Sequence, residues 1–258
     1  MKKNAAAAND FEKTINSFSG KYSIKDIWSD WITVFAISLS QPLDYREERE
    51  ENYLSITSKY SKDELSKFCE LSAILINELE KNSDRDFLGE TFMKFGLGNQ
   101  RSGQFFTPYE ISKCVSKMTC GNISEQIHQN GYVTINDCAC GSGGMLIAAF
   151  NDIRDTLSKE APSLNAQNHV LIAAQDIDST VAMMCYVQLS LLGIAGIVKI
   201  GDAITEPMCG DLLDIPYSSD LWFTPMYNFS VWRGRRNIHR LMSLVKNLQS
   251  DDKGDSQK

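Results

Sequence analysis

The stretch Val133-Thr134-Ile135-Asn136-Asp137-Cys138-Ala139-Cys140-Gly141-Ser142-Gly143-Gly144-Met145-Leu146 decides the fold of this chain. A β-branched run leads to an acidic residue, then to a turn of small residues, then to an apolar helix start. That order predicts a strand whose C-terminal end breaks into a Gly-rich loop and feeds a helix N-terminus. Such a junction offers backbone N–H groups and the positive end of a helix dipole to an anion. The glycines let a ligand approach where a Cβ would block it. Asp137 adds a carboxylate able to hold a ligand ammonium. A site that takes an anion and a cation side by side points to the amino-acid end of a ligand rather than to a pyrophosphate.

Two commoner nucleotide loops do not fit. A dinucleotide fingerprint needs a glycine where Leu146 stands, and a P-loop needs a lysine that does not follow these glycines. The chain of 258 residues is long enough for one large or two modest domains. Its 43% apolar and 23% charged residues are ordinary for a globular protein. No apolar run in it approaches the roughly 20 residues of a bilayer span. Residues 1–20 open with Met1-Lys2-Lys3-Asn4 and an alanine run, lack the apolar core of a secretory signal, and are expected to be a disordered leader. A cytoplasmic protein is therefore expected. The seven cysteines include no C-x-x-C pair and the three histidines show no ligand spacing, so reduced thiols and no metal site are expected.

The formal charge of −7 argues against a general polyanion binder. Residues 221–250, however, contain no Asp or Glu while Arg233, Arg235, Arg236 and Arg240 accumulate there. These four are the candidate contacts to a phosphate backbone, since a local basic patch can meet phosphates even on an acidic chain. A solvated basic helix is the alternative.

Around the opening stretch the pattern organises itself. Residues 21–102 read as a helical N-terminal region: Ile24, Ile27, Trp28, Trp31, Ile32 and Phe35 recur at helical spacing, as do Phe68, Leu71, Leu75 and Leu79. From residue 103 to 232 helices alternate with short β-branched strands: strands at 132–136, 170–175 and 197–200, with helices at 109–117, 145–157 and 180–192. This βαβαβ order predicts an α/β, Rossmann-like parallel sheet with right-handed crossovers. Residues 233–258 read as a basic helix that gives way to a disordered tail near residue 250.

Ligands on such sheets bind at strand C-termini, where Asp137, Asp176 and Asp202 all fall. Asp176 can accept from a ribose diol, Asp202 from an adenine amine, and Ile177 can pack on the base. Together they describe an adenosine with an amino acid at its 5′ end, which is S-adenosylmethionine. Each aspartate alone could merely cap the next helix.

Gly103-Gln104-Phe105-Phe106-Thr107-Pro108, followed by Asp137-Cys138-Ala139-Cys140-Gly141-Ser142-Gly143-Gly144-Met145, closely resembles the adenine-N6 DNA methyltransferases of the type I restriction-modification modification-subunit group. The resemblance covers residues 86–202 most closely, with Leu88-Gly89-Glu90 matching that group's helical N-terminal region. It implies a class I methyltransferase fold, S-adenosylmethionine as cofactor, DNA as substrate and a specificity or other restriction-modification subunit as partner. It also implies that Phe106 and Thr107 meet the methionine end of the cofactor. Asp137, Ala139, Gly141 and Gly143 would form its loop, Asp176 would take the ribose, and Gly201-Asp202 would take the adenine side.

The family's Asn-Pro-Pro-Phe/Tyr catalytic motif has no copy in this chain. Thr224-Pro225-Met226-Tyr227, after the strand-like Asp220-Leu221-Trp222-Phe223, is the best positional match. Thr224 and Pro225 would then meet the target amine and Tyr227 would stack on an extruded base. Asp214-Ile215-Pro216-Tyr217 is the other candidate. A threonine hydroxyl is a shorter and freer acceptor than an asparagine amide. A catalytically impaired relative that binds the cofactor and regulates a restriction-modification complex is thus the alternative function. The strands that follow the catalytic motif in this class are also absent, so the sheet is expected to be incomplete at its C-terminal side.

Overall fold

The computed structural model describes residues 10–18, 20–98 and 105–255. The chain starts with a short helix α1 (residues 10–16). It continues through α2 (Ile24–Ser40), α3 (Glu47–Thr57), α4 (Lys62–Lys81) and α5 (Phe87–Lys94). Local sequence sets these boundaries: the Ser23 side chain caps α2, and Ser61 with Glu64 forms a reciprocal capping box at α4. Phe11, Trp28, Trp31 and Phe87 meet edge to face or tilted, with Phe11 centroids 5.6, 5.3 and 5.7 Å from the other three rings. Residues 1–9 lie outside the described residues. Residue 19 also lies outside them, while residues 10–18 of the expected disordered leader are instead ordered, because Phe11, Ile15 and Phe18 are buried in the aromatic core.

The second part runs α6 (Tyr109–Thr119), α7 (Ile123–Asn130), β1 (Val133–Asp137), α8 (Gly144–Glu160), a single turn α9 (Ala166–His169), β2 (Val170–Asp176), α10 (Ser179–Leu191) and β3 (Ala195–Ile200). β1 pairs with β2, and β2 with β3, in parallel, so the expected βαβαβ unit forms. Sandwiched between the sheet and α2, α10 is buried all round, with Val181, Met184, Tyr186 and Leu189 excluded from solvent. One continuous apolar core therefore runs from Phe11 to Trp222, and the N-terminal helices form a layer of it.

The fourth strand departs from expectation. β4 (Leu221–Phe223) pairs antiparallel with β3, giving the order β1-β2-β3-β4. The reason lies in its connection. A parallel return needs a crossover, usually a helix, whereas residues 201–220 form only turns and irregular chain. The chain therefore doubles back beside the strand it has just left. Leu171, Ala195 and Ile197 on this face are covered by Leu213, Tyr227 and Trp232. A 3-10 turn (Pro225–Asn228) then leads into α11 (Ser230–Asp255). The tail expected to be disordered from residue 250 is helical to Asp255, and residues 256–258 lie outside the described residues. No helix of the described residues is long and apolar enough to cross a membrane.

Candidate cofactor site

The loop after β1 is held by hydrogen bonds from its own backbone N–H groups. The Asp137 carboxylate accepts from the Ala139 N–H at 3.1 Å, and the Cys140 N–H donates to the Gln175 carbonyl at 2.9 Å, tying the loop to the end of β2. Gly141 has φ of 53°, and its N–H donates to Asp176 Oδ2 at 2.8 Å. A Cβ at this glycine would stand 3.2 Å from the Phe106 ring, which lies over the loop and stacks on Phe92. Gly143 has φ of 91° and would place a Cβ 2.9 Å from Cys185 Sγ on α10. Helix α8 then opens at Gly144, its first i→i−4 bond running from the Ile147 N–H to the Gly143 carbonyl. The N–H groups before that bond have no intrahelical acceptor.

These elements form a cavity of about 70 Å³ lined by Phe106, Thr107, Asp137, Ala139, Gly141 and Met145 among others. That volume is on the scale of a small end group of a ligand rather than of a whole nucleoside. Burial raises the Asp137 carboxyl above its ordinary range; the neighbouring Asp176 pushes the same way, and the Ala139 N–H opposes both. A carboxylate in this state gains from a cation placed beside it.

The other expected contacts are distributed differently. Asp176 stands outside the cavity wall as a strut, one oxygen taken by the Gly141 N–H and the other by the Asp178 N–H at 3.0 Å. Ile177 beyond it is 71% exposed. The Asp202 carboxylate holds its own turn through the Ile204 N–H at 2.8 Å, a bond that keeps it below the ordinary carboxylate range. Gly143 packs against α10 rather than lining the cavity. Gly103 and Gln104 of the first motif lie outside the described residues.

Sequence reasoning missed the support beneath the loop. Asp86, the N-cap of α5, is fully enclosed and accepts from the Ser142 hydroxyl, from the Gly89 N–H at 2.8 Å and from Gln188 Nε2 at 2.8 Å. Gln188 also donates to the Ser142 carbonyl at 2.9 Å. Burial raises the Asp86 carboxyl, while these three donors pull it down. The cluster ties α5 and α10 to the loop and forms part of the cavity wall. Its one visible signal was Gln188, a polar residue inside the otherwise apolar Val181–Leu189 run.

The acceptor-side residues stand apart from the loop. Thr224 is 0% exposed; its hydroxyl donates to the Ile194 carbonyl at 2.8 Å and accepts from the Gly196 N–H at 2.9 Å. It is thereby fixed at the start of β3, while the cofactor loop lies at the strand C-termini. Gly196 lies four residues before Ile200, the strand partner of Asp176, which at ~3.3 Å each is roughly 13 Å along β3. Pro225 begins the 3-10 turn that follows. The Tyr227 ring is buried against Phe223 at 5.2 Å, and its hydroxyl donates to the Leu212 carbonyl at 2.7 Å. None of the three lines the loop cavity, and Tyr217 of the other candidate motif lines a separate cavity with Phe223. Of the four arginines, Arg235 is structural: it donates to the Asn168 and Gly131 carbonyls and stacks on Trp232 at 4.6 Å. Arg233, Arg236 and Arg240 line a separate cavity beside β4.

Residues 83–240 match the N-6 DNA Methylase family. The chain is also 25% identical, over 193 residues, to the type I restriction enzyme MpnII methylase subunit of Mycoplasma pneumoniae. That alignment takes in 72% of this chain and 30% of the relative, so the chain spans under a third of that protein's length. Among solved structures, a protein of Listeria monocytogenes described as a class I S-adenosylmethionine-dependent methyltransferase covers 81% of this chain and 57% of its own, at 16% identity and a TM-score of 0.39.

Proposed function

Because the chain belongs to the N-6 DNA methylase family, we propose that it serves S-adenosylmethionine-dependent methylation of adenine N6 in DNA, of restriction-modification type. Its own residues hold the methyl donor. The observation that carries this reading is the cavity shared by Phe106, Thr107, Asp137, Ala139 and Gly141. The methionine end of the cofactor has an anionic carboxylate and a cationic ammonium. The N-terminus of α8 at Gly144 and Met145 suits the first, and the buried carboxylate of Asp137 suits the second. Gly141 leaves the space beneath Phe106 that a side chain would fill. When bound, the cofactor supplies an electrophilic methyl on a sulfonium.

In this reading the chain's residues act by positioning. Asp137 holds the ammonium, Phe106 covers the loop and excludes water, and Thr107 offers a hydroxyl at the cavity wall. Asp176 keeps the Gly141 N–H oriented and has lone pairs left for a ribose diol, with Ile177 and Asp202 along the path of the nucleoside. DNA and a specificity or other restriction-modification subunit are the proposed partners, in the cytoplasm.

A second reading is favoured by one observation: Thr224 spends both of its hydrogen bonds on β3, far from the loop. On that reading the chain is a cofactor-binding relative that interacts with a restriction-modification complex and does not itself turn over. Calorimetric titration with S-adenosylmethionine, paired with transfer of a labelled methyl group to DNA, separates the two. Saturable binding with methyladenine formation supports the first, and binding without transfer supports the second. Absence of binding sinks both.

A further inference from the structure

A second cavity, of about 370 Å³, lies beside β4 and shares no residue with the cofactor cavity. Its walls come from the loop between α2 and α3, from the chain before β4, and from the first turns of α11. Arg46, Arg233, Arg236 and Arg240 line it, against one carboxylate, Asp44. That carboxylate is already shared by Arg46 at 2.6 Å and Arg49 at 3.2 Å. Arg240 is paired with Asp214 at 2.7 Å. Among the described residues no carboxylate pairs with Arg233 or Arg236.

Two of these guanidinium groups are held flat on rings: Arg236 over Tyr227 at 4.1 Å, and Arg46 over Tyr217 at 3.7 Å. Guanidinium groups oriented in this way lose little freedom when they bind a phosphate bidentately. Two buried donors here, Asn228 Nδ2 and Arg46 Nε, have no acceptor, although buried polar groups are nearly always paired. The wall is also aromatic. Phe223 stacks on Tyr227 with rings inclined by 18°, and Tyr217, 48% exposed, carries Arg46 on one of its faces. Surplus cations and unmet donors call for an anion, and a tyrosine ring this open to solvent offers a surface for a flat ring.

We propose that this cavity binds a nucleotide, its phosphate on Arg233 and Arg236 and its base against Tyr217. The same chemistry is presented by a free nucleotide and by one unit of a single-stranded nucleic acid, since each combines a phosphate with a base able to stack. The site is distinct from the cofactor loop, so loss of one leaves the other measurable.

The test uses the full chain at low ionic strength, titrated calorimetrically with 2′-deoxyadenosine 5′-monophosphate, with 2′-deoxyadenosine and with inorganic phosphate. The monophosphate should bind at least roughly tenfold more tightly than either half. Tyr217→Ala should weaken the monophosphate and leave inorganic phosphate unchanged. Arg233→Gln, at an exposed position, and the double variant Arg233→Gln/Arg236→Gln should weaken both, while S-adenosylmethionine binding stays at the parent level and reports an intact fold. Displacement of the monophosphate by a single strand of about 12 nucleotides assigns the site to nucleic acid, and failure to displace assigns it to a free nucleotide. The proposal is overturned if no phosphate probe binds saturably. It is equally overturned if the monophosphate binds no more tightly than inorganic phosphate, or if the arginine variants bind like the parent.

Discussion

Replacing Thr224 by valine separates a structural residue from a catalytic one. Valine keeps the shape and removes only the hydroxyl, so the cavity term is close to nil. The Gly196 N–H and the Ile194 carbonyl, both buried at the start of β3, then lose their partner. Leaving a buried polar group unpaired costs about 1–3 kcal/mol. The carbonyl is the more tolerant of the two, so the expected loss is about 2–4 kcal/mol in total. At roughly 3 °C per kcal/mol for a chain of this size, the melting temperature should fall by roughly 6–12 °C. Urea unfolding should show a lower midpoint with an unchanged slope. Titration of the native variant with S-adenosylmethionine, well below its melting temperature, should give the parent affinity. A variant with the parent midpoint and abolished methyl transfer would refute the structural role and restore Thr224 to the acceptor side.

The remaining expectations concern the loop and its supports. Asp86→Ala strips the acceptor from the Ser142 hydroxyl and the Gly89 N–H and should cost about 2–4 kcal/mol in thermal unfolding. Asp86→Asn, which keeps one acceptor oxygen and can donate to Ser142, should lose less than half of that; equal stability of the alanine variant and the parent would sink the argument. Asp137 titrates above its ordinary 3.8 in the folded chain, so the folded state holds its proton more tightly than the unfolded state. Stability of the ligand-free chain should therefore fall as pH rises from the unfolded value through the raised folded value, and Asp137→Asn should flatten that slope. Cofactor affinity should rise through the same window as the carboxylate ionises, and calorimetry that found it falling would exclude Asp137 as the ammonium partner. Asp176→Ala removes the charged acceptor of the Gly141 N–H and should weaken S-adenosylmethionine by about 1.5–3 kcal/mol, an unchanged affinity ruling out its role as strut and ribose ligand.

The strand, loop and helix from Val133 to Leu146 were legible because their information is local. β-branched residues before Asp137, small residues after it and an apolar run from Met145 specify strand, turn and helix one after another. Gly141 and Gly143 take the left-handed conformations such a turn demands. Parallel pairing followed from the helices between strands. The Asp86 cluster was not legible, because it joins residues 56 and 102 positions apart, and nothing local distinguishes Asp86 from an ordinary helix cap. The order at residues 10–18 was hidden for a related reason. Phe11, Ile15 and Phe18 are too few to predict a core, and they become one only against Trp28 and Trp31.

The placement of Thr224-Pro225-Met226-Tyr227 away from the loop has a more general cause. The letters of a motif carry chemistry only if the strand before it points toward the site, and strand direction is a property of the connection. Here the connection was readable: residues 201–220 include Gly201, Pro207, Gly210 and Pro216, spacing that leaves little room for a crossover helix. A chain without that helix can only turn back along β3, which carries the motif to the start of β3 and away from Asp137 and Asp176. The same reversal brings Phe223 and Tyr227 beside the arginines of α11 and creates the cavity there. The direction of one three-residue strand thus keeps two chemistries in separate cavities that share no lining residue. Competition between S-adenosylmethionine and a nucleotide beside β4 is therefore not expected, and calorimetry with one ligand held at saturation should return the same affinity for the other.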